Sequence, residues 1–191
     1  MPFLNLSYSR KEDASLWLEM KSGDQEVFDQ IYHDHVDHLI RYGYSFSQDD
    51  DVIDDCIQEL FCRIWQKRIL LKETDNIRYY LMASFRKELL KAIKKKSKRN
   101  SLIGKLFPET TLVFSASLET KMIQEESHHQ QIKILNQCLE KLSSRQKEIV
   151  YLKYYNELSF DEIGEIMELD KKSVYNAMSK AMMILRKEMG R

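Results

Sequence analysis

Ser159 to Leu185 reads SFDEIGEIMELDKKSVYNAMSKAMMIL, and this stretch decides the fold. Ser159 precedes Glu162 by three residues, the reciprocal pairing that satisfies free N–H groups at a helix start. Phe160, Ile163, Ile166 and Met167 then recur on one helical face. The pattern breaks at Glu168-Leu169-Asp170, and Asp170 can cap a second helix with Val174, Met178, Ala181, Met182 and Leu185 on its inner side. Its outer side then carries Lys171, Lys172, Ser173, Tyr175, Asn176, Ser179 and Lys180. Amide and hydroxyl groups suit base edges in a major groove, and lysines suit phosphates. Two helices with a tight turn between them and a basic, polar outer face predict a helix-turn-helix that binds DNA.

Working outward, Ser143-Ser144-Arg145-Gln146 forms a further capping box, and a second helical unit is expected from about His128. Upstream, Asn100 to Ser127 loses helical periodicity and contains Gly104, Pro108 and scattered serines and threonines, which reads as a linker. Before it lies a helix from about Asn76 with Ile77, Tyr80, Leu81, Phe85 and Leu89 on one side. That helix becomes basic: Arg86, Lys87, Lys91, Lys94, Lys95, Lys96, Lys98 and Arg99 face only Glu88. A solvated helix normally interleaves acids, so this one-sided run predicts phosphate binding. Tyr79, Tyr80 and Phe85 fit either base stacking or a helical core stripe. Another helix is expected from Val52 to about Lys67, favoured at its start by Asp49-Asp50-Asp51. Ile57, Leu60, Phe61, Ile64 and Trp65 form its apolar stripe, and Asp55, Gln58, Glu59 and Cys62 lie opposite. Ser22-Gly23-Asp24-Gln25 opens earlier helical stretches with Val27, Phe28, Ile31 and Tyr32, then Val36, Leu39 and Ile40.

The totals agree with an all-α chain. Five Gly and two Pro among 191 residues are few, and Leu, Ile, Lys, Glu and Met abound. Thirty basic residues balance thirty acidic ones, so attraction to a polyanion has to be local. Cys56, Cys62 and Cys138 are too few and too irregular for a disulfide framework or zinc site, and are expected to be buried or half-buried reduced thiols. The N-terminal residues lack the apolar core of a signal peptide, and no apolar run suits a membrane span, which predicts a cytoplasmic protein. His33, His35 and His38 with Asp34 and Asp37 offer helical ligand spacing without a fourth ligand, so no metal is assigned. With no phosphate loop, nucleophile elbow or paired catalytic acids, neither an enzyme nor a cofactor is expected.

Asp55-Cys56-Ile57-Gln58-Glu59-Leu60-Phe61-Cys62-Arg63-Ile64-Trp65 resembles the core-polymerase-binding helix of bacterial sigma factors. Gly23 to Tyr32, Leu142 to Val150, Leu158 to Ile163 and Ser173 to Arg186 resemble further segments of the same sigma-70 family, in the same order. The size and layout are similar to the extracytoplasmic-function (ECF) type. The resemblance implies that the chain binds core RNA polymerase and directs promoter-specific transcription initiation. Asp55, Gln58 and Glu59 would meet the clamp helices of the largest subunit. The Arg68–Asp75 loop and the helix after it, with Arg86, Lys87, Lys91, Lys94 and Lys95, would capture and melt the minus-ten element. The outer face from Lys171 to Lys180 would read the minus-thirty-five element. Further implied partners are the polymerase flap and a membrane-associated anti-sigma factor. The expected organisation is a tail (1–14), a sigma domain (15–99), a flexible linker (100–127) and a winged-helix-like helix-turn-helix domain (128–191). Lys87, Ala177, Glu168 and Gly164 depart from common family residues, which bears on promoter sequence rather than on fold. The competing reading is a stand-alone helix-turn-helix regulator of duplex DNA, which leaves Gln58–Trp65 and the basic run unexplained.

Overall fold

The computed structural model describes residues 9–100 and 138–189, with side chains as far as Lys96 and Glu188 in the two stretches. Among the described residues there are helices and no strands. The chain divides into two compact units. The first holds α1 (Arg10–Ser22), α2 (Gln25–Tyr44), α3 (Asp50–Lys67), a 3-10 turn (Arg68–Leu70) and α4 (Ile77–Asn100). The second holds α5 (Ser144–Tyr154), α6 (Phe160–Met167) and α7 (Lys171–Met189). Apart from Asn100, the expected linker lies outside the described residues, as does the helix start near His128.

Local chemistry sets most of the boundaries. Ser9 and Glu12 form a capping box that starts α1 inside the stretch expected to be tail. Gly23 ends that helix in the left-handed conformation, φ 105°, where a side chain would be strained. Asp24, rather than Ser22, then caps α2 by accepting the Val27 N–H at 3.1 Å. α2 runs on without the break expected before Val36. Asp49 caps α3 through the Val52 N–H at 3.3 Å.

The first core is built on the apolar stripes of these helices. Trp17, Met20, Leu39, Tyr42, Leu60, Phe85 and Leu89 are each almost fully buried. α3 packs against α4, and α1 packs against both the 3-10 turn and α4. α2 meets α3 largely through rings, with Phe28 against Phe61 and Trp65, and Tyr32 against Phe61. Gly43 is buried where α2 approaches α3, and an added Cβ would sit 2.8 Å from Ile53 Cγ2.

In the second unit both expected capping boxes are present, at Ser143/Gln146 and Ser159/Glu162. Glu168 ends α6 at φ 55°, the left-handed position usually given to glycine. Gly164 lies under this turn, because a Cβ there would stand 2.8 Å from the Leu169 carbonyl oxygen. Val174, Met178, Ala181 and Leu185 are buried on the inner side of α7, as the spacing predicts. Cys138, Leu142, Ala181 and Leu185 form one core cluster, with Leu139, Val150, Met182 and Ile184 packed against it.

Candidate nucleic-acid and polymerase interfaces

Three surfaces carry the candidate residues. On α3 the apolar stripe turns Ile57, Leu60, Phe61 and Ile64 inward, leaving Asp55, Gln58 and Glu59 exposed. Cys62 is exposed beside them, against the expectation of a buried or half-buried thiol, because it falls on the same outward face. Cys56 and Cys138 are buried and free. Burial pushes the Cys56 thiol pKa up, and the Glu59 and Asp55 carboxylates add to that.

The second surface follows α3. Ile69 and Leu70 stand 75% and 83% exposed on the 3-10 turn, unusual for aliphatic side chains in the middle of a small domain. Arg68 donates to the Trp65 carbonyl at 2.9 Å and lies over the Trp65 ring. Beyond the loop, Asn76 caps α4 by accepting the Tyr79 N–H at 2.9 Å. Of the basic residues on α4, Lys87, Lys91, Lys94 and Lys95 are exposed, and Arg86 is half-buried. Lys96 pairs with Asp49, the residue that caps α3. Glu88, the lone acid of the run, pairs with Arg63 of α3. Of the three aromatic candidates, Phe85 is fully buried against Tyr42, so core packing claims it. Tyr80 packs on Trp17 with centroids 4.8 Å apart, and Tyr79 is half-buried.

The third surface is α7. Lys171, Lys172, Tyr175, Asn176, Ser179 and Lys180 are all exposed on one side. Ser173 differs from them. It is half-buried, and its N–H and hydroxyl donate to Asp170 at 2.8 and 2.6 Å. These bonds, the hydroxyl first, hold the Asp170 pKa below its usual value. Lys171 donates to Asp161 at 2.8 Å, which raises the Lys171 pKa. Tyr175 leans on Phe160, their centroids 4.3 Å apart.

Among the described residues, His33, His35 and His38 do not gather into a metal site. No group of three or more candidate ligands occurs among the described residues. His35 is buried against α4 and its pKa is pushed down to about 3 by burial, with Arg78 and His38 adding to the effect. No helix among the described residues is long and apolar enough to cross a membrane.

Both units match the same family. Residues 31–99 match the model of sigma-70 region 2, and residues 132–185 match that of sigma-70 region 4. The chain belongs to the sigma-70 family. This sigma factor is also similar to the ECF RNA polymerase sigma factor SigM of Bacillus subtilis (strain 168), at 23% identity over 160 residues, 81% of this chain and 90% of the relative. Two solved structures share its fold. One is CnrH in complex with the cytosolic domain of CnrY, with a TM-score of 0.57, 17% identity, and 93% of this chain and 97% of that one covered. The other is the sigma factor RpoE in complex with the anti-sigma factor NepR from Bartonella quintana, with a TM-score of 0.61, 18% identity, and coverages of 85% and 96%. The protein is a sigma factor of the ECF type, which binds core RNA polymerase and directs transcription from promoter DNA. Such a factor is an initiation factor rather than an enzyme.

Sequence reasoning missed α1. Arg10, Trp17 and Lys21 reach the loop that follows α3, and Asp13 reaches the first residue of α4. The signal was weak because the inward face of α1 includes an aspartate, and its partners lie 50 to 65 residues downstream.

Proposed function

We propose that the three surfaces divide the work of promoter recognition. Asp55, Gln58 and Glu59 on α3 meet the clamp helices of the largest polymerase subunit. The Arg68–Asp75 loop, with Arg86, Lys87, Lys91, Lys94 and Lys95 of α4, takes the minus-ten strand as it opens. Lys171, Lys172, Tyr175, Asn176, Ser179 and Lys180 on α7 read the minus-thirty-five element in the major groove, and Ser173 sets the start of that helix. The observation carrying this reading is the separation of roles along each helix: apolar stripes are buried while these polar and basic residues, apart from the half-buried Arg86 and Ser173, stand exposed. The first unit, α1 included, forms the polymerase and minus-ten domain, and 128–191 the minus-thirty-five domain with its contact to the flap. Residues 100–127 link them. Nucleotide addition stays with the polymerase, and the protein acts in the cytoplasm. The relatives CnrH and RpoE, solved with CnrY and the anti-sigma factor NepR, favour an anti-sigma factor as a further partner.

Run-off transcription with purified core on genomic fragments tests the whole reading. This chain should confer promoter-specific transcripts and bind duplex promoter weakly without core. Tight sequence-specific duplex binding with no transcript gained on adding core would favour the stand-alone regulator instead.

A further inference from the structure

The loop between α3 and α4 is held from within by Arg68 and by Thr74, whose hydroxyl donates to the Asn76 carbonyl at 3.2 Å and accepts the Asn76 N–H at 3.1 Å, and from outside by α1. Trp17 Nε1 donates to the Lys72 carbonyl at 2.9 Å, and Lys21 Nζ donates to the Leu71 carbonyl at 2.6 Å. At the far end of the loop, Asp13 Oδ2 accepts the Ile77 N–H at 2.8 Å in a buried contact. Asp13 thus supplies a cap to α4 from another helix, beside the local cap from Asn76. An exposed ion pair, Arg10 to Asp75 at 3.2 Å, closes the same seam. The three buried or half-buried contacts all take main-chain groups. They leave the side chains of Ile69, Leu70, Lys72 and Glu73 exposed.

Main-chain capture has a physical consequence. A short exposed loop with an unpacked aliphatic tip samples many conformations, and ordering it on a ligand costs affinity and selectivity. Ile69 and Leu70 lie between the end of α3 and the held carbonyls of Leu71 and Lys72, so their backbone is anchored on both sides without using the groups that could touch a base. The anchoring also satisfies two loop carbonyl oxygens, those of Leu71 and Lys72. α1 precedes the segment that matches sigma-70 region 2, which begins at residue 31.

We propose that α1 is a positioning element for promoter opening: Asp13, Trp17 and Lys21 clamp the loop backbone so that its tip meets the minus-ten strand in one geometry. This rests on the proposed role of the Arg68–Asp75 loop as the minus-ten reader. Asp13, Trp17 and Lys21 act through the loop and touch no DNA themselves.

The test uses holoenzyme assembled from core and full-length chain, on a promoter selected by run-off from genomic fragments. Discrimination is read as the ratio of binding to single-stranded minus-ten oligonucleotides that are matched or carry one replaced base. Strand opening is read by permanganate reactivity of promoter thymines. Trp17→Phe keeps an aromatic ring beside Tyr80 and removes the indole N–H at the cost of some buried volume, and Asp13→Ala removes the cap to Ile77. Each should lower discrimination roughly fivefold, about the effect of removing one hydrogen bond, and slow opening in step. Core affinity should stay within about twofold, since α3 is untouched. Asp13→Asn keeps an oxygen acceptor and should recover most of the discrimination. If Asp13→Ala loses helical signal by circular dichroism, Trp17→Phe decides. Unchanged discrimination in a folded Trp17→Phe protein overturns the clamp. Ile69→Ser with Leu70→Ser separates the two proposals. If that pair leaves discrimination unchanged, the loop is not the reader and the underlying assignment fails. If that pair lowers discrimination while the α1 variants do not, the clamp alone fails.

Discussion

At the scale of single residues, three positions show how local chemistry sets stability or contact. Glu168 occupies left-handed backbone, which costs a residue with a Cβ roughly 1–2 kcal/mol. Glu168→Gly should therefore stabilise the second unit by about 0.5–1 kcal/mol after the greater freedom of glycine in the unfolded chain is counted, as read by urea unfolding. His35 is held neutral in the fold, with a pKa near 3 against an ordinary 6.5. Because the unfolded chain binds the proton more readily, this contribution is present above pH 6.5 and is lost as pH falls towards 3. Urea midpoints for wild type should fall between pH 7.5 and pH 5, and His35→Leu should flatten that fall. On α3, Gln58→Ala with Glu59→Ala should weaken core binding about tenfold or more while leaving helical content and melting unchanged. Both side chains are exposed, so little packing is lost with them. Loss of folding in that variant would show that this face packs inward rather than meeting the polymerase.

At the scale of elements, the helices were legible because their signals are local. Capping boxes at Ser143 and Ser159 involve residues three apart, and the stripes of α3, α4 and α7 repeat within a single turn. α1 carries the same local signal in its Ser9/Glu12 capping box, but its role was not legible, because Asp13 and Trp17 find their partners at Ile77 and Lys72. The same distinction sorts the basic run of α4. Lys94 and Lys95 are exposed, whereas Lys96 is drawn to Asp49 across the α3–α4 pair. Replacing Lys94 and Lys95 with alanine should flatten the salt dependence of promoter-complex formation by about 0.9 in slope for each duplex phosphate that is no longer neutralised. Lys96→Ala should change the slope less and the stability of the first unit more. On α7, Asn176→Ala should relax base preference in the minus-thirty-five element by about 1–3 kcal/mol of discrimination. Ser173→Ala should instead lower helix stability, since its hydroxyl serves Asp170. Selection from a randomised minus-thirty-five library, beside thermal melting, distinguishes the two effects.

At the scale of the whole molecule, neutrality is the informative property. Thirty basic and thirty acidic residues give no general pull towards DNA, so affinity without polymerase should be weak and strongly dependent on salt. Gel-shift titration of duplex promoter with and without core should show at least about a hundredfold gain from core, the advantage of joining two weak sites on one assembly. The amino-acid sequence by itself determined the all-α class, the capped helices, the helix-turn-helix and the family. Each of these depends on residues near one another in the chain or on a spacing that survives divergence. Only the tertiary structure decided which side chains are available: that Phe85 is core, that Lys96 is engaged, and that α1 holds a loop far from it in sequence. Availability depends on what packs or bonds across the fold. A periodic pattern shows which face of a helix is apolar, but not which partner another helix brings to its polar end.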